Sequence, residues 1–133
     1  VYEFHGSLKK LVCLKCRQKY DLSQIDLNVL PPGCKKCDGI LKPDVIFFGE
    51  AIPEPAATLS YNEADKADCF IIIGTTGTVA PANMIPPRAK AKGAAIIEVN
   101  PYRSDYTGTV TDIFIKEKAG SALENLMDAI DEL

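Results

Sequence analysis

Cys13-Leu14-Lys15-Cys16 and Cys34-Lys35-Lys36-Cys37 are two CxxC pairs separated by the seventeen residues Arg17 to Gly33. This is the spacing of a tetrahedral zinc site built from two knuckles, each CxxC turn aiming both of its sulfurs at one ion. Four thiolates close the coordination shell and leave no position for water or substrate. Cys13, Cys16, Cys34 and Cys37 therefore predict a structural zinc rather than a catalytic one. Two other readings compete: disulfides in a secreted domain, and a thioredoxin-like redox motif. The first calls for a secretory leader and the second for one CxxC opening a helix after a strand, and two matched pairs without a leader pattern fit neither.

A chain of 133 residues, 47% of them hydrophobic, can bury one sizeable core and one small satellite module. Its net charge of −3 argues against wrapping nucleic acid, which requires a basic excess. Charge is unevenly placed all the same. Between Lys9 and Lys42 there are eight basic residues and three acidic ones, whereas the end from Asp112 onward is acidic. Lys15, Arg17, Lys35 and Lys36 flank the cysteines, where positive charge stabilises thiolates, and this explains them better than a nucleic-acid patch. No apolar run reaches the ~18 residues of a membrane span, so no membrane partner is expected. Reduced cysteines point to the cytoplasm, or to the nucleus in a eukaryote. The first residue is not methionine and a strand-like Val1-Tyr2-Glu3-Phe4 begins at once, which predicts a chain cut from something longer.

Val1 to Phe4 read as a short strand entering the turn His5-Gly6. Within the cysteine excursion, Asp21 to Val29 predict a short helix, and Pro31-Pro32-Gly33 turns the chain back. Val45-Ile46-Phe47-Phe48 is a continuous apolar run ended by Gly49, the pattern of a buried strand meeting a loop. Pro53-Glu54-Pro55 opens a helix to about Lys66. Asp68 to Ile73 is apolar on both faces, as in the middle of a parallel sheet, with Cys69 a small core residue. A Gly/Thr loop, Gly74 to Thr78, leads into helix near Pro81 that restarts at Pro86-Pro87. Strands at Ala94 to Val99 and Asp112 to Lys116 follow. The last helix is expected from Ser121, with Glu124 completing a capping box and Leu123, Leu126, Met127 and Ile130 on one face. This rhythm predicts an α/β fold, a Rossmann-like parallel sheet with helices over 1–6 and 43–133, plus a small four-cysteine zinc-ribbon module over 7–42.

Ligands of such sheets bind outside the carboxyl ends of the strands, and three loops end strands here: Gly49-Glu50, Gly74 to Thr78 and Asn100 to Arg103. The Gly/Thr loop can hold phosphate or ribose through N–H groups and hydroxyls, or be a plain connector, since no GxGxxG is present. His5, the one histidine, is equally a structural surface residue or a general base.

The ordered set of motifs carries more. His5-Gly6 precedes the first knuckle, Lys42-Pro43-Asp44-Val45-Ile46-Phe47-Phe48-Gly49-Glu50 follows the second, and Gly74-Thr75-Thr76 then leads to Val79 and Pro81-Ala82. Together they resemble the sirtuins, the NAD-dependent protein lysine deacylases, over essentially the whole chain. The resemblance implies that His5 is the catalytic general base toward the ribose hydroxyls of NAD, and that the four cysteines hold structural zinc. It implies that Ile46, Phe47, Phe48 and Gly49 bind the acyl-lysine of a protein substrate, the peptide adding as a strand. It implies that Gly74, Thr75 and Thr76 meet ribose and phosphate, and that Asn100, Pro101, Tyr102, Lys118 and Ala119 meet adenosine. The chemistry implied removes the acyl group from lysine and yields nicotinamide and O-acyl-ADP-ribose. Gly77 stands where many members carry a larger apolar residue, which is expected to loosen its loop.

The resemblance also implies that the chain is the C-terminal portion of such an enzyme, without the glycine-rich pyrophosphate loop. By itself it is then expected to be inactive and, with strand edges uncovered, to self-associate. The alternative is a non-enzymatic zinc-ribbon interaction module that binds nucleic acid through Lys9, Lys10, Lys35 and Lys36, which a salt-dependent affinity would reveal.

Overall fold

The computed structural model describes residues 1–132, and the chain divides into two compact units, Val1–Ala57 and the residues from Thr58 onward. The first unit is built on an antiparallel sheet of β1 (Gly6–Cys13), β2 (Lys19–Asp21) and β3 (Leu41–Val45), in the order β2-β1-β3. Pairing of β1 with β3 runs from Gly6 opposite Val45 and Ser7 opposite Asp44, then skips to Leu11 opposite Pro43. The skip falls at the one residue of β3 with no N–H to give, so the ladder breaks into two short segments there. Its core is Leu11, Cys13, Cys34 and Leu41, with Cys16, Tyr20, Ile25 and Cys37 packed against them. Half of that core is sulfur. So small an apolar core needs a metal to hold it.

Three expectations change in this unit. Val1 to Phe4 form no strand, because Phe4 N–H donates to Tyr2 O and Gly6 N–H to Glu3 O, curling the chain before β1. The helix expected over Asp21 to Val29 shrinks to one 3-10 turn, Leu22–Gln24. Past it, the Asp26 carboxylate takes the backbone N–H of Asn28 at 2.9 Å, a local bond that competes with helix. Nor does a buried strand extend through Phe48: β3 stops at Val45, and Phe48 is 94% exposed. A turn ends it, with Glu50 N–H on Phe47 O and the Glu50 carboxylate on Phe47 N–H.

The second unit holds a parallel sheet of β4 (Cys69–Ile73), β5 (Ala95–Val99) and β6 (Ile113–Ile115), in that order. Its helices are α1 (Ala56–Lys66), α2 (Ile85–Ala91) and α3 (Ala119–Asp131), α1 beginning just inside the first unit. Prolines set two helix starts: α1 follows Pro55, and Pro86-Pro87 occupy the first turn of α2, where a missing N–H costs nothing. Ala64, Ile72, Ala89, Ala94, Ile96 and Tyr106 form the core. Arg88 clamps α2 to α1 through a two-pronged ion pair with Asp65, both contacts at 2.6 Å, beneath the ring of Tyr61.

β5, not β4, is the middle strand among the described residues. The period of two sends Phe70 and Ile72 of β4 toward the core and leaves Cys69, Ile71 and Ile73 exposed, so Cys69 is not a core residue. The last helix starts at Ala119, two residues before the expected Ser121. Ser121 does not cap it; its hydroxyl donates back to Lys118 O at 3.2 Å. Among the described residues no helix is long and apolar enough to cross a membrane.

Candidate metal centre and candidate active-site segments

The four cysteine sulfurs all lie within 4.8 Å of one another, with Cys13 to Cys37 and Cys16 to Cys34 both at 3.6 Å. A disulfide needs ~2.05 Å, so all four are free. Sulfurs at ~2.3 Å from a tetrahedral zinc stand about 3.8 Å apart, and the cluster fits that ion.

The two knuckles are built alike. Arg17 N–H returns to Cys13 O at 3.0 Å and Asp38 N–H to Cys34 O at 2.9 Å. The residue after each pair sits in the left-handed region, Arg17 at φ 62° and Asp38 at φ 54°. Backbone N–H groups of Lys15 and Cys16 point at Cys13 Sγ, both at 3.4 Å. Gly39 leaves the room: a Cβ there would lie 2.9 Å from Cys13 Sγ and 3.3 Å from Cys37 Sγ.

Electrostatics prepare the sulfurs for a cation. The Tyr20 hydroxyl, 3.3 Å from Cys34 Sγ, is the main cause bringing that thiol down to about 6. Cys13 is lowered too, first by the N–H of Cys16. Cys37 has the Gly39 N–H pulling it down, yet the neighbouring sulfurs and burial push it up to about 12. Crowded thiols resist full ionisation together, and a divalent cation removes the conflict.

Left-handed φ costs a non-glycine residue ~1 kcal/mol, so Arg17→Gly is expected to stabilise the zinc-loaded protein by up to about 1 kcal/mol. Zinc content should not change. A urea midpoint at or below the wild-type value would show that the turn carries no such penalty.

His5 lies just before β1 and is exposed, its ring edge-on to Phe4 with centroids 5.3 Å apart. Its carbonyl accepts the N–H of Ile46 at 3.1 Å, so the candidate base and the candidate substrate segment Ile46, Phe47, Phe48 and Gly49 begin side by side. Two residues without an assigned role in the sequence reading organise that segment. Lys42 Nζ donates to Val45 O and to Glu50 Oε2, both at 2.8 Å, and stands 4.7 Å from the centre of the Phe47 ring. Lys42, and next the Phe47 N–H, hold the Glu50 carboxyl below its ordinary value.

In the second unit the candidate cofactor residues gather at the carboxyl end of the parallel sheet. Gly74, Thr75 and Thr76 follow β4, while Asn100, Pro101 and Tyr102 follow β5. Lys118 and Ala119 open α3 just past β6. The first two loops are joined directly. Asn100 Nδ2 donates to Thr75 O at 2.7 Å, Asp105 N–H to Thr76 O at 2.9 Å, and Gly74 N–H to Val99 O at 3.2 Å. Gly77, at φ 76°, is buried, and a Cβ there would stand 2.9 Å from the Tyr106 ring, so the loop has no room for a larger residue at this position. Thr75 and Thr76 stay exposed, as a ligand would require.

Sequence reading missed Glu98, the fully buried acid of β5. Burial raises its carboxyl, but the hydroxyls of Ser104, Thr111 and Thr107 outweigh that and leave it lowered. A glutamate inside Ile96-Ile97-Glu98-Val99, followed by a hydroxyl-rich loop, was the available signal.

Comparison with known proteins agrees with this geometry. The sequence profile of the Sir2 family matches residues 1–81. An NAD-dependent protein deacylase of Aquifex aeolicus (strain VF5) is 39% identical over 133 residues, covering 99% of this chain and 55% of the relative. NAD-dependent protein deacylase 2 of Pyrobaculum aerophilum is 38% identical over 130 residues, covering 98% of this chain and 51% of the relative. The crystal structure of a Sir2 homologue–NAD complex shares the fold at a TM-score of 0.92 and 32% identity, covering 99% of this chain and 51% of that one. The chain thus spans about half the length of the curated relatives it matches. A profile over more than half of its residues, joined to a shared fold and a four-sulfur cluster between His5 and the Ile46 segment, means that the chain belongs to the Sir2 family.

Proposed function

We propose that the protein carrying this chain is an NAD-dependent protein lysine deacylase, with His5 as general base and Ile46 to Gly49 holding the acylated lysine. The observation that carries this reading is the bond between His5 O and Ile46 N–H, which starts the two segments from one point of the β1/β3 pair. Among the described residues β3 is an edge strand, which leaves a side along which an extended peptide can add. Phe47, 55% exposed, and Phe48 offer apolar cover to an acyl chain and its lysine stem. Zinc, held by Cys13, Cys16, Cys34 and Cys37, fastens one end of β1 to the second knuckle and takes no part in the chemistry.

The second unit fits a dinucleotide by its donor set. Thr75 and Thr76 are exposed hydroxyls beside Gly74 at a strand end, with Asn100 to Tyr102 alongside. Bound NAD would supply a ribose carbon to take the acyl oxygen as nicotinamide leaves. His5 would remove a proton from the neighbouring ribose hydroxyl so that its oxygen attacks the acyl carbon, and a water adding there as the lysine amine departs would complete the free lysine, nicotinamide and O-acyl-ADP-ribose. Similarity to NAD-dependent deacylases and to a Sir2 homologue–NAD complex supports the reading.

His5→Ala in the full-length protein tests it. Loss of a general base typically costs ~10²-fold or more in turnover. His5 is exposed, with its ring edge-on to Phe4, so the melting temperature and zinc content should hold. Near-normal deacylation by the variant would remove His5 from the mechanism. A wild-type protein that releases no nicotinamide from NAD and acyl-peptide would overturn the reading as a whole.

A further inference from the structure

We propose that Glu98 is the positioning residue of the cofactor site: its buried carboxylate gathers the 104–111 loop and thereby sets Asn100 to Tyr102 and Thr75-Thr76 in register for the adenosine half of NAD. The inference rests on the proposed function, since it assumes that Asn100 to Tyr102 meet adenosine. Glu98 lies on β5 with no exposed surface, on the strand face it shares with Ile96. A buried carboxylate survives only where its lone pairs are filled. Here they are filled from one loop. Ser104 Oγ donates to Oε1 at 2.6 Å, Thr111 Oγ1 to Oε2 at 2.7 Å, and Thr107 Oγ1 stands 3.0 and 2.8 Å from the two oxygens. Bonds to a charged acceptor are short and about twice as strong as neutral ones.

The same loop begins with Asn100, whose carboxamide donates to Thr75 O, and contains Asp105, whose N–H donates to Thr76 O. It also carries Tyr106, whose ring covers Gly77. Three contacts thus tie 100–111 to 74–77, and the loop that makes them is closed by Glu98 from beneath. An apolar side chain at 98 would fill the space equally well. It would not select one loop conformation, because only an acceptor with two oxygens can collect hydroxyls from three separated positions at once.

The test uses Glu98→Gln and the milder Thr111→Val in the full-length protein, with Thr111→Ser as the conservative control. Losing part of a charge-assisted network is expected to weaken ADP-ribose binding on the order of tenfold and to raise the KM for NAD by a similar factor. The KM for acyl-peptide and kcat should stay within about twofold, and amide exchange should quicken across 100–111. Thr111→Ser, which keeps the hydroxyl, should bind ADP-ribose as the wild type does. Variants that melt earlier yet keep wild-type ADP-ribose affinity would reduce Glu98 to a packing residue and overturn the proposal. Should Glu98→Gln fail to fold, Thr111→Val alone decides. Tyr102→Ala separates the two readings. If it leaves ADP-ribose affinity intact, the adenosine assignment fails and the positioning role falls with it; if only the Glu98 and Thr111 variants are without effect, the positioning role alone fails.

Discussion

Cys34→Ser is expected to abolish stoichiometric zinc and to unfold most of Val1–Ala57. Cys34 is buried at the centre of that unit's core and joins three networks: it approaches Cys16, accepts from the Tyr20 hydroxyl, and its carbonyl closes the second knuckle on Asp38. Serine keeps the size but offers a poor ligand to a soft site, and three remaining sulfurs cannot close the tetrahedron. Structural zinc commonly supplies ~10 kcal/mol or more to a module of this kind. Little else is available to replace it, since apart from cysteines the buried apolar residues of this unit are Leu11, Val12 and Leu41. The core around Ile72, Ile96 and Ala89 draws on none of these residues, so the parallel sheet should keep its circular dichroism. Metal analysis and amide spectra of the variant check this. One zinc per chain, or undisturbed β1 and β3 resonances, would sink the assignment.

What the sequence reveals most directly is chemistry carried by near neighbours. A CxxC pair is a turn plus two ligands within four residues, so both knuckles can be read without knowing the fold, and the structure brings their sulfurs together. The same locality exposes α1 behind Pro55 and β5 in its apolar run. What was not legible depends on residues far apart in the chain. The face of β4 that stays exposed is decided by where α1 and α2 pack, and nothing inside Cys69–Ile73 says that they cover only one side. The break between β1 and β3 needs Pro43 opposite Leu11, a pairing known only once the strands meet. The room that Gly77 leaves for the Tyr106 ring is equally hidden, because the two are distant in sequence. Glu98 was passed over for the same reason: its meaning lies in Ser104, Thr107 and Thr111.

Gly6→Ala is expected to damage stability and turnover together, which sets it apart from His5→Ala. Gly6 adopts φ 76°, and a Cβ built on it would lie 1.9 Å from Asp44 O and 3.2 Å from Val45 Cα, both backbone atoms. The strands cannot simply part. Ser7 pairs with Asp44, and the Asp44 side chain, largely buried, is held by Lys19 Nζ at 2.6 Å. The left-handed φ alone costs alanine about 1 to 2 kcal/mol, and displacing β3 should bring the loss to ~3 kcal/mol or more. Moving β3 also breaks the bond from Ile46 N–H to His5 O, so the base and the acyl-lysine segment lose their common origin. A misplacement of ~1 Å is enough to cost on the order of 10²-fold in rate. The full-length variant should therefore melt several degrees earlier and deacylate at least ~10²-fold more slowly, with zinc still bound, because the knuckles lie beyond the break at Pro43. Wild-type melting would show that β1 and β3 do not approach this closely at Gly6. Lower stability with undiminished turnover would show that the His5–Ile46 bond does not align the two segments.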